Sequence, residues 1–236
     1  MTTTSATKPS AFIFDCDGTL LDSMGVWLTT QPRLLASYGI STTSDDFARF
    51  ESLSVEDECR AYHEVWGVGE SGESVYRDLM ALLAIEYSEN IEARPGVVDF
   101  LSEAHEAGIP MAIATSTPVS LVEKGLAHTG LAEFFPLIVT TGEAGRSKEH
   151  PDVYNLALER LCSHVGIPVP DHGSVWVFED APFGLTSTRD AGYRRVGIYD
   201  PAGRGAREDV RSLSDIFIDS FAELSLSDIE SYRGEA

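Results

Sequence analysis

Two aspartates two residues apart, Asp15 and Asp17, stand with Gly18 directly after the apolar run Ala11-Phe12-Ile13-Phe14. A second acidic pair, Glu179-Asp180, follows the apolar run Val175-Trp176-Val177-Phe178. Between them in sequence, Thr115-Ser116 closes the run Met111-Ala112-Ile113-Ala114, and Lys148 sits in a polar loop. Carboxylates gathered in one crevice repel one another and raise at least one pKa. A hard divalent cation removes that conflict, and a donor set of oxygens without nearby His or Cys selects magnesium. The cation in turn makes the site attractive to phosphate. Lys148 would neutralise further charge, and the Thr115 hydroxyl with the amides of the helix start after it would hold phosphoryl oxygens. The plainer alternative makes Asp15 and Asp17 turn and cap residues. The three later segments, in order, weigh against it.

The elements that must position these residues are a parallel sheet and its helices. Short β-prone runs at 11–14, 111–114, 137–139, 175–178 and 195–199 alternate with helical stretches at 95–108, 118 onward, 151–161 and 182–191. Strands alternating with helices predict βαβ units, with helices on both faces of a doubly wound sheet. In such sheets the ligand lies outside the carboxyl ends of the strands, where all four polar segments fall. Residues 22–91 hold no strand pattern. Helices are expected at 24–38 despite Pro32, with Gly39 as the stop, at 44–50, at 54–66 with Ser54 as N-cap, and at 73–88. Thr117 is expected to cap the helix that Pro118 begins. The resulting organisation is a core of 9–21 and 92–236, a helical insert of 22–91, and a short disordered tail of 1–8.

Composition bounds the partners. The 236 residues carry 38 acids against 17 bases, a formal charge of −21, so the overall field excludes general nucleic-acid binding and disfavours anionic membrane. No stretch of 18 apolar residues predicts a membrane span. Three cysteines without a CxxC predict a reduced, cytoplasmic protein. Lysine occurs only at 8, 124 and 148, so an essential lysine must be one of these. The sequence does not fix an oligomeric state; a monomer is compatible with it.

The motifs resemble those of the haloacid dehalogenase superfamily, the aspartate-nucleophile phosphotransferases. Phe14-Asp15-Cys16-Asp17-Gly18-Thr19-Leu20 matches the first motif and Ala114-Thr115-Ser116 the second. Lys148, followed by Pro151-Asp152, resembles the third, and Glu179-Asp180-Ala181-Pro182-Phe183-Gly184 the fourth. The likeness covers residues 11 to about 200. The helical insert is similar to the small α-helical cap of β-phosphoglucomutase-like and phosphoglycolate-phosphatase-like members. The resemblance implies Asp15 as nucleophile, Asp17 as general acid and base, and Thr115, the Ser116 amide and Lys148 on the phosphoryl oxygens. It implies magnesium held by the Asp15 carboxylate, the Asp17 carbonyl and Asp180, with Glu179 direct or through water. Gly18 would let the backbone turn without a Cβ. Relatives have proline directly after the lysine, where this chain has Lys148-Glu149-His150-Pro151.

The expected activity is magnesium-dependent hydrolysis of a small phosphorylated metabolite through an aspartyl phosphate. The alternatives are a sugar-phosphate mutase and a catalytically silent binding member of the fold. Sugar-phosphate mutases resembling this chain carry an arginine where Val55 falls and a histidine where Trp27 stands. Phosphonate-cleaving relatives use a cap lysine, and residues 22–91 contain none. Dehalogenation does not need the second aspartate. The stretch Gly67–Gly72 formally matches GxGxxG but follows a helix and is flanked by acids, so it is expected to be a loop. Cys59 and His63 lie one helical turn apart without a second ligand pair and are expected to be structural. Trp27 and Trp66 are expected in cap packing or against substrate. The acids Glu51, Glu56, Asp57 and Glu58 either face substrate or form a solvated face.

Overall fold

The computed structural model describes residues 8–50, 53–203 and 205–234. Six parallel strands form one sheet in the order β3-β2-β1-β4-β5-β6: β1 (Ala11–Phe14), β2 (Met111–Thr115), β3 (Ile138–Thr140), β4 (Val175–Glu179), β5 (Arg194–Ile198) and β6 (Ile216–Ile218). β1 lies between β2 and β4, with Phe14 opposite Ile113 on one side and Phe178 on the other. The chain therefore winds outward in both directions from β1, which opens a crevice beyond its C-terminal end.

The alternation of β1 explains why both faces are covered. Phe12 and Phe14 point into one core, where Phe14 stacks on Phe178 with ring centroids 4.2 Å apart and Phe12 stacks on Phe100. Ala11 and Ile13 point into the other, with Val177, Tyr154 and Leu158. All four are buried, and each large side chain contributes roughly 1.5–3 kcal/mol by leaving water. Helices α4 (Val97–Glu106) and α5 (Val119–Thr129) belong to the phenylalanine side, and α7 (Asp152–Val165) to the other. Helices α6 (Thr141–Ala144), α8 (Pro182–Asp190), α9 (Arg207–Leu213) and α10 (Leu226–Ser231) complete the sheet's surroundings. This is the doubly wound α/β fold with a helical insert that the pattern predicts.

The insert leaves β1 through a tight turn in which Leu20 and Leu21 N–H groups both donate to the Cys16 carbonyl. It returns alongside: Asp22 N–H donates to Glu92 O, Arg94 N–H donates to Leu20 O, and Leu21 bridges Ala93. Within it lie α1 (Met24–Ser37, containing Pro32), α2 (Val55–Trp66) and α3 (Gly72–Glu89). Ser54 caps α2 by accepting from Asp57 N–H, as expected, and Leu79, Leu83 and Tyr87 form the buried stripe of α3. Gly39, at φ +81°, ends α1.

Several local expectations are corrected. Residues 44–50 form two short 3₁₀ turns, Ser44–Asp46 and Ala48–Phe50, in place of a helix. Asp46 accepts from both the N–H and the hydroxyl of Thr43, a local alternative to helical pairing. The helix after Pro95 begins at Val97, because Gly96 takes a left-handed conformation ahead of it. Pro118, not Thr117, occupies the cap position of α5. Residues 1–7 of the expected tail lie outside the described residues; the ammonium of Lys8 donates to Ala107 O at 2.6 Å.

Candidate active site

The loops after β1, β2 and β4 and the loop carrying Lys148 converge on one cavity of about 160 Å³. Asp15, Asp17, Thr115, Ser116, Lys148, Glu179 and Asp180 all line it. Gly18 lies beside it at φ +81°, where a Cβ would fall 2.5 Å from Asp180 Oδ2. The residues of the four motif segments thus lie at one place.

Lys148 is the electrostatic centre. The residue is 3 % exposed, and its ammonium donates to Asp15 Oδ1 and, at 2.6 Å, to Glu179 Oε1. Burial pulls its pKa down, but the Asp15 and Glu179 carboxylates carry it above the ordinary value. Glu179 is fully buried and also accepts from Tyr154 OH at 2.7 Å and from Ala181 N–H at 3.0 Å. Burial, set against Lys148 and reinforced by Glu179 and Asp17, pushes the Asp15 carboxyl up to about 7. Burial, with Glu179 and Asp15 as like charges, raises Asp180 well above the carboxylate range.

Ligand oxygens of Asp15, Glu179 and Asp180 lie within 4.8 Å of one another. Three carboxylates against one ammonium leave two formal negative charges, the balance a divalent cation fits. The donors are all oxygen, and the raised Asp15 and Asp180 show what the cluster does without such a charge. The residues present therefore fit a hard divalent ion.

Asp17 is held by hydroxyls. Ser23 donates to its Oδ1 at 2.5 Å, Tyr87 donates to the same oxygen, and Thr117 donates to Oδ2 at 2.7 Å. Tyr87 in turn accepts from Trp27 Nε1 at 2.8 Å. Ser23, Thr117, Tyr87 and Tyr154 were not nominated by sequence. Thr117 reads in the sequence as a helix cap, and Tyr87 as one position of the helical stretch 73–88.

The insert forms the outer wall. Met24, Trp27, Leu28, Leu53 and Val55 are its apolar part, and Gln31 and Glu58 its polar part, with Gln31 Nε2 donating to Glu58 Oε1 at 2.9 Å. Of the acids at 56–58, Glu56 and Asp57 are exposed and Glu58 alone lines the cavity; Glu51 lies outside the described residues. Trp27 touches the cavity, whereas Trp66 packs among Phe47, Phe50 and Tyr62. Residues 67–71 link α2 to α3, which begins at Gly72, and His63 Nδ1 lies 2.8 Å from Val68 O. The GxGxxG-like stretch and the Cys59/His63 pair are structural, as expected.

The family model described as haloacid dehalogenase-like hydrolase matches residues 12–198, from β1 through β5. The chain belongs to the haloacid dehalogenase-like hydrolases. Among members of this family, a phosphorylated carbohydrates phosphatase of Thermotoga maritima is 29% identical over 186 residues, 79% of this chain and 83% of that one. The CbbY protein of Cupriavidus necator is 33% identical over 202 residues, covering 79% and 76%. The crystal structure of CbbY from Rhodobacter sphaeroides in complex with phosphate shares the fold, at a TM-score of 0.76 and 24% identity over 92% of this chain and 96% of that one. The expectation of a phosphoric monoester hydrolase is met, since family relatives matched over most of both chains are named phosphatases.

Proposed function

We propose that this chain is a magnesium-dependent phosphatase that hydrolyses a small phosphorylated metabolite through an aspartyl phosphate on Asp15. The observation that carries this is the buried Lys148 bridge between Asp15 and Glu179, inside the cluster that Asp180 completes. Asp15, Asp180 and the Asp17 carbonyl would hold the ion. Glu179, already accepting from Lys148, Tyr154 and Ala181 N–H, is better placed to act through water. Magnesium supplies positive charge against the crowded carboxylates and the phosphoryl oxygens.

In this reading an Asp15 oxygen attacks phosphorus, and the bond to the leaving oxygen breaks. Asp17 gives that oxygen a proton. Asp17 then takes a proton from water, whose oxygen attacks the aspartyl phosphate, frees inorganic phosphate and restores Asp15. Thr115, the Ser116 amide and Lys148 hold the phosphoryl oxygens. Phosphoryl transfer asks mainly for positioning and charge stabilisation, which this set offers.

Residues 22–91 act as the cap that selects the leaving group. Val55 lines the cavity without a charge to hold a second phosphate, which favours hydrolysis over the mutase reading. Named activities among the relatives, on phosphorylated carbohydrates and phosphoglycolate, support a small phosphorylated substrate. Free, buried Cys16, Cys59 and Cys162 support a reducing, cytoplasmic setting, and no helix among the described residues is long and apolar enough to cross a membrane.

The test is phosphate release from a panel of phosphorylated metabolites, with and without magnesium, by wild type and Asp15→Asn. Wild type should release phosphate only with magnesium, and the folded variant should not. Appreciable turnover by verified Asp15→Asn overturns the reading, as does interconversion of sugar phosphates without net phosphate release.

A further inference from the structure

Asp200 follows β5 and is 3 % exposed. Its Oδ1 accepts from Ala202 N–H at 2.8 Å and lies 3.2 Å from Arg94 Nη1. Its Oδ2 is also buried, yet no donor among the described residues reaches it. Buried carboxylate oxygens rarely stay without a donor, so this one calls for an explanation. The orphan faces the carboxylate cluster. A Cβ built on Gly18 would lie 3.1 Å from Asp200 Oδ2 and 2.5 Å from Asp180 Oδ2. One built on Gly203 would lie 3.4 Å from Asp180 Oδ2 and 3.3 Å from the Asp200 Cβ. Two glycines thus keep side chains out of the space beside both carboxylates.

We propose that Asp200 is a positioning residue for the metal: its Oδ2 accepts a hydrogen bond from a water in the hydration shell of magnesium held at Asp15 and Asp180. The inference rests on the magnesium reading above. Magnesium gives up its waters reluctantly and keeps several of them. A water polarised by the ion is a strong donor, and outer partners of this kind orient the ion's immediate ligands. Arg94 offsets the charge of Asp200 and fixes its Oδ1, so Oδ2 turns to the cluster. The same guanidinium donates to Tyr199 O at 2.7 Å, and the Arg94 N–H donates to Leu20 O. The pair therefore ties the loop that carries Asp15 and Asp17 to the strand end that carries Asp200.

The rival account is an ion pair that only anchors the linker at residue 94. Titration calorimetry of magnesium into wild type, Asp200→Asn and the double variant Arg94→Met/Asp200→Asn separates the two. The double variant removes both charges and leaves neither buried alone. The proposal expects the magnesium dissociation constant to rise 10- to 100-fold in both variants, the usual range for losing an outer partner. Circular dichroism on the same samples should show a folded protein. Dissociation constants within twofold of wild type in a folded variant overturn the proposal and leave the anchor account. If wild type itself takes up no magnesium, the magnesium reading fails instead, and with it the premise of this one.

Discussion

The phenol of Tyr87, near the end of α3, donates to the carboxylate of Asp17, seventy residues earlier on the loop after β1. The bond joins the helical insert to the loop after β1 in the core. It is buttressed by Trp27 Nε1 from α1 and by the close fit of α3 on α5, where a Cβ on Gly125 would fall 3.1 Å from the Tyr87 ring. Asp17 is thus aimed jointly by insert and core: Ser23 and Thr117 complete the grip.

Tyr87→Phe keeps the ring packing, removes that donor and takes away the acceptor of Trp27 Nε1–H. A hydrogen bond to a charged group contributes about 1.5–3 kcal/mol, so turnover should fall roughly ten- to a hundredfold. KM should change little, because Tyr87 does not line the cavity. Steady-state kinetics check it; an unchanged kcat would mean that Ser23 and Thr117 suffice to hold Asp17.

Lysine substitution tests the charge distribution. Lys148→Ala removes the only ammonium from a buried trio and leaves Asp15 and Glu179 facing one another. The barrier should rise by about 3–4 kcal/mol, as for loss of one preorganised charge stabiliser. Lys8 and Lys124 are exposed, so their alanine variants should retain wild-type kinetics. Equal losses at all three positions would contradict the assignment of Lys148.

Why the nominated residues were legible, and their partners were not, follows from where the information lies. Asp15 follows an apolar strand, and Thr115 and Glu179 each close one, so type and local position marked them. Tyr87, Tyr154 and Asp200 act through distant partners, and neighbouring residues give no hint of them. Tyr154 belongs by spacing to the buried face of α7, and only its hydroxyl on Glu179 distinguishes it. The sheet was legible as far as β5. β6, three residues at one sheet edge, lies beyond the last stretch read as a strand, 195–199. The 44–50 stretch misled because its buried Phe47 and Phe50 mimic a helical spacing, while Asp46 and Thr43 close a turn instead.

Gly18 offers a test of backbone and site together. At φ +81° an alanine is strained, and its Cβ would fall 2.5 Å from Asp180 Oδ2, a carboxylate of the cluster. Gly18→Ala should therefore lose more than about 1 kcal/mol of stability. It should also weaken magnesium binding by displacing Asp180. Thermal melts with and without magnesium measure both effects. A variant as stable as wild type and equally protected by the ion would show that the loop accommodates the methyl group.

The last prediction concerns pH and metal. Burial raises the folded Asp15 carboxyl from its ordinary 3.8 to about 7, and Asp180 moves in the same direction. Between about pH 4 and 7 the folded protein thus binds more protons at these groups than the unfolded chain does. By linkage their contribution to stability is present below the unfolded value and is lost as pH rises through the folded one. In chelator, these two groups should therefore make the melting temperature fall from pH 5 toward pH 8. Magnesium needs the same carboxylates deprotonated, so its binding competes with protons and strengthens over the same interval. The increase in melting temperature on adding magnesium should accordingly be small near pH 5 and larger near pH 8. Asp180→Asn removes a shared titrating group and a ligand, so it should flatten the pH trend in chelator and reduce the magnesium-induced increase. An increase that is constant across this interval in wild type would show that protons and the ion do not compete for Asp15 and Asp180.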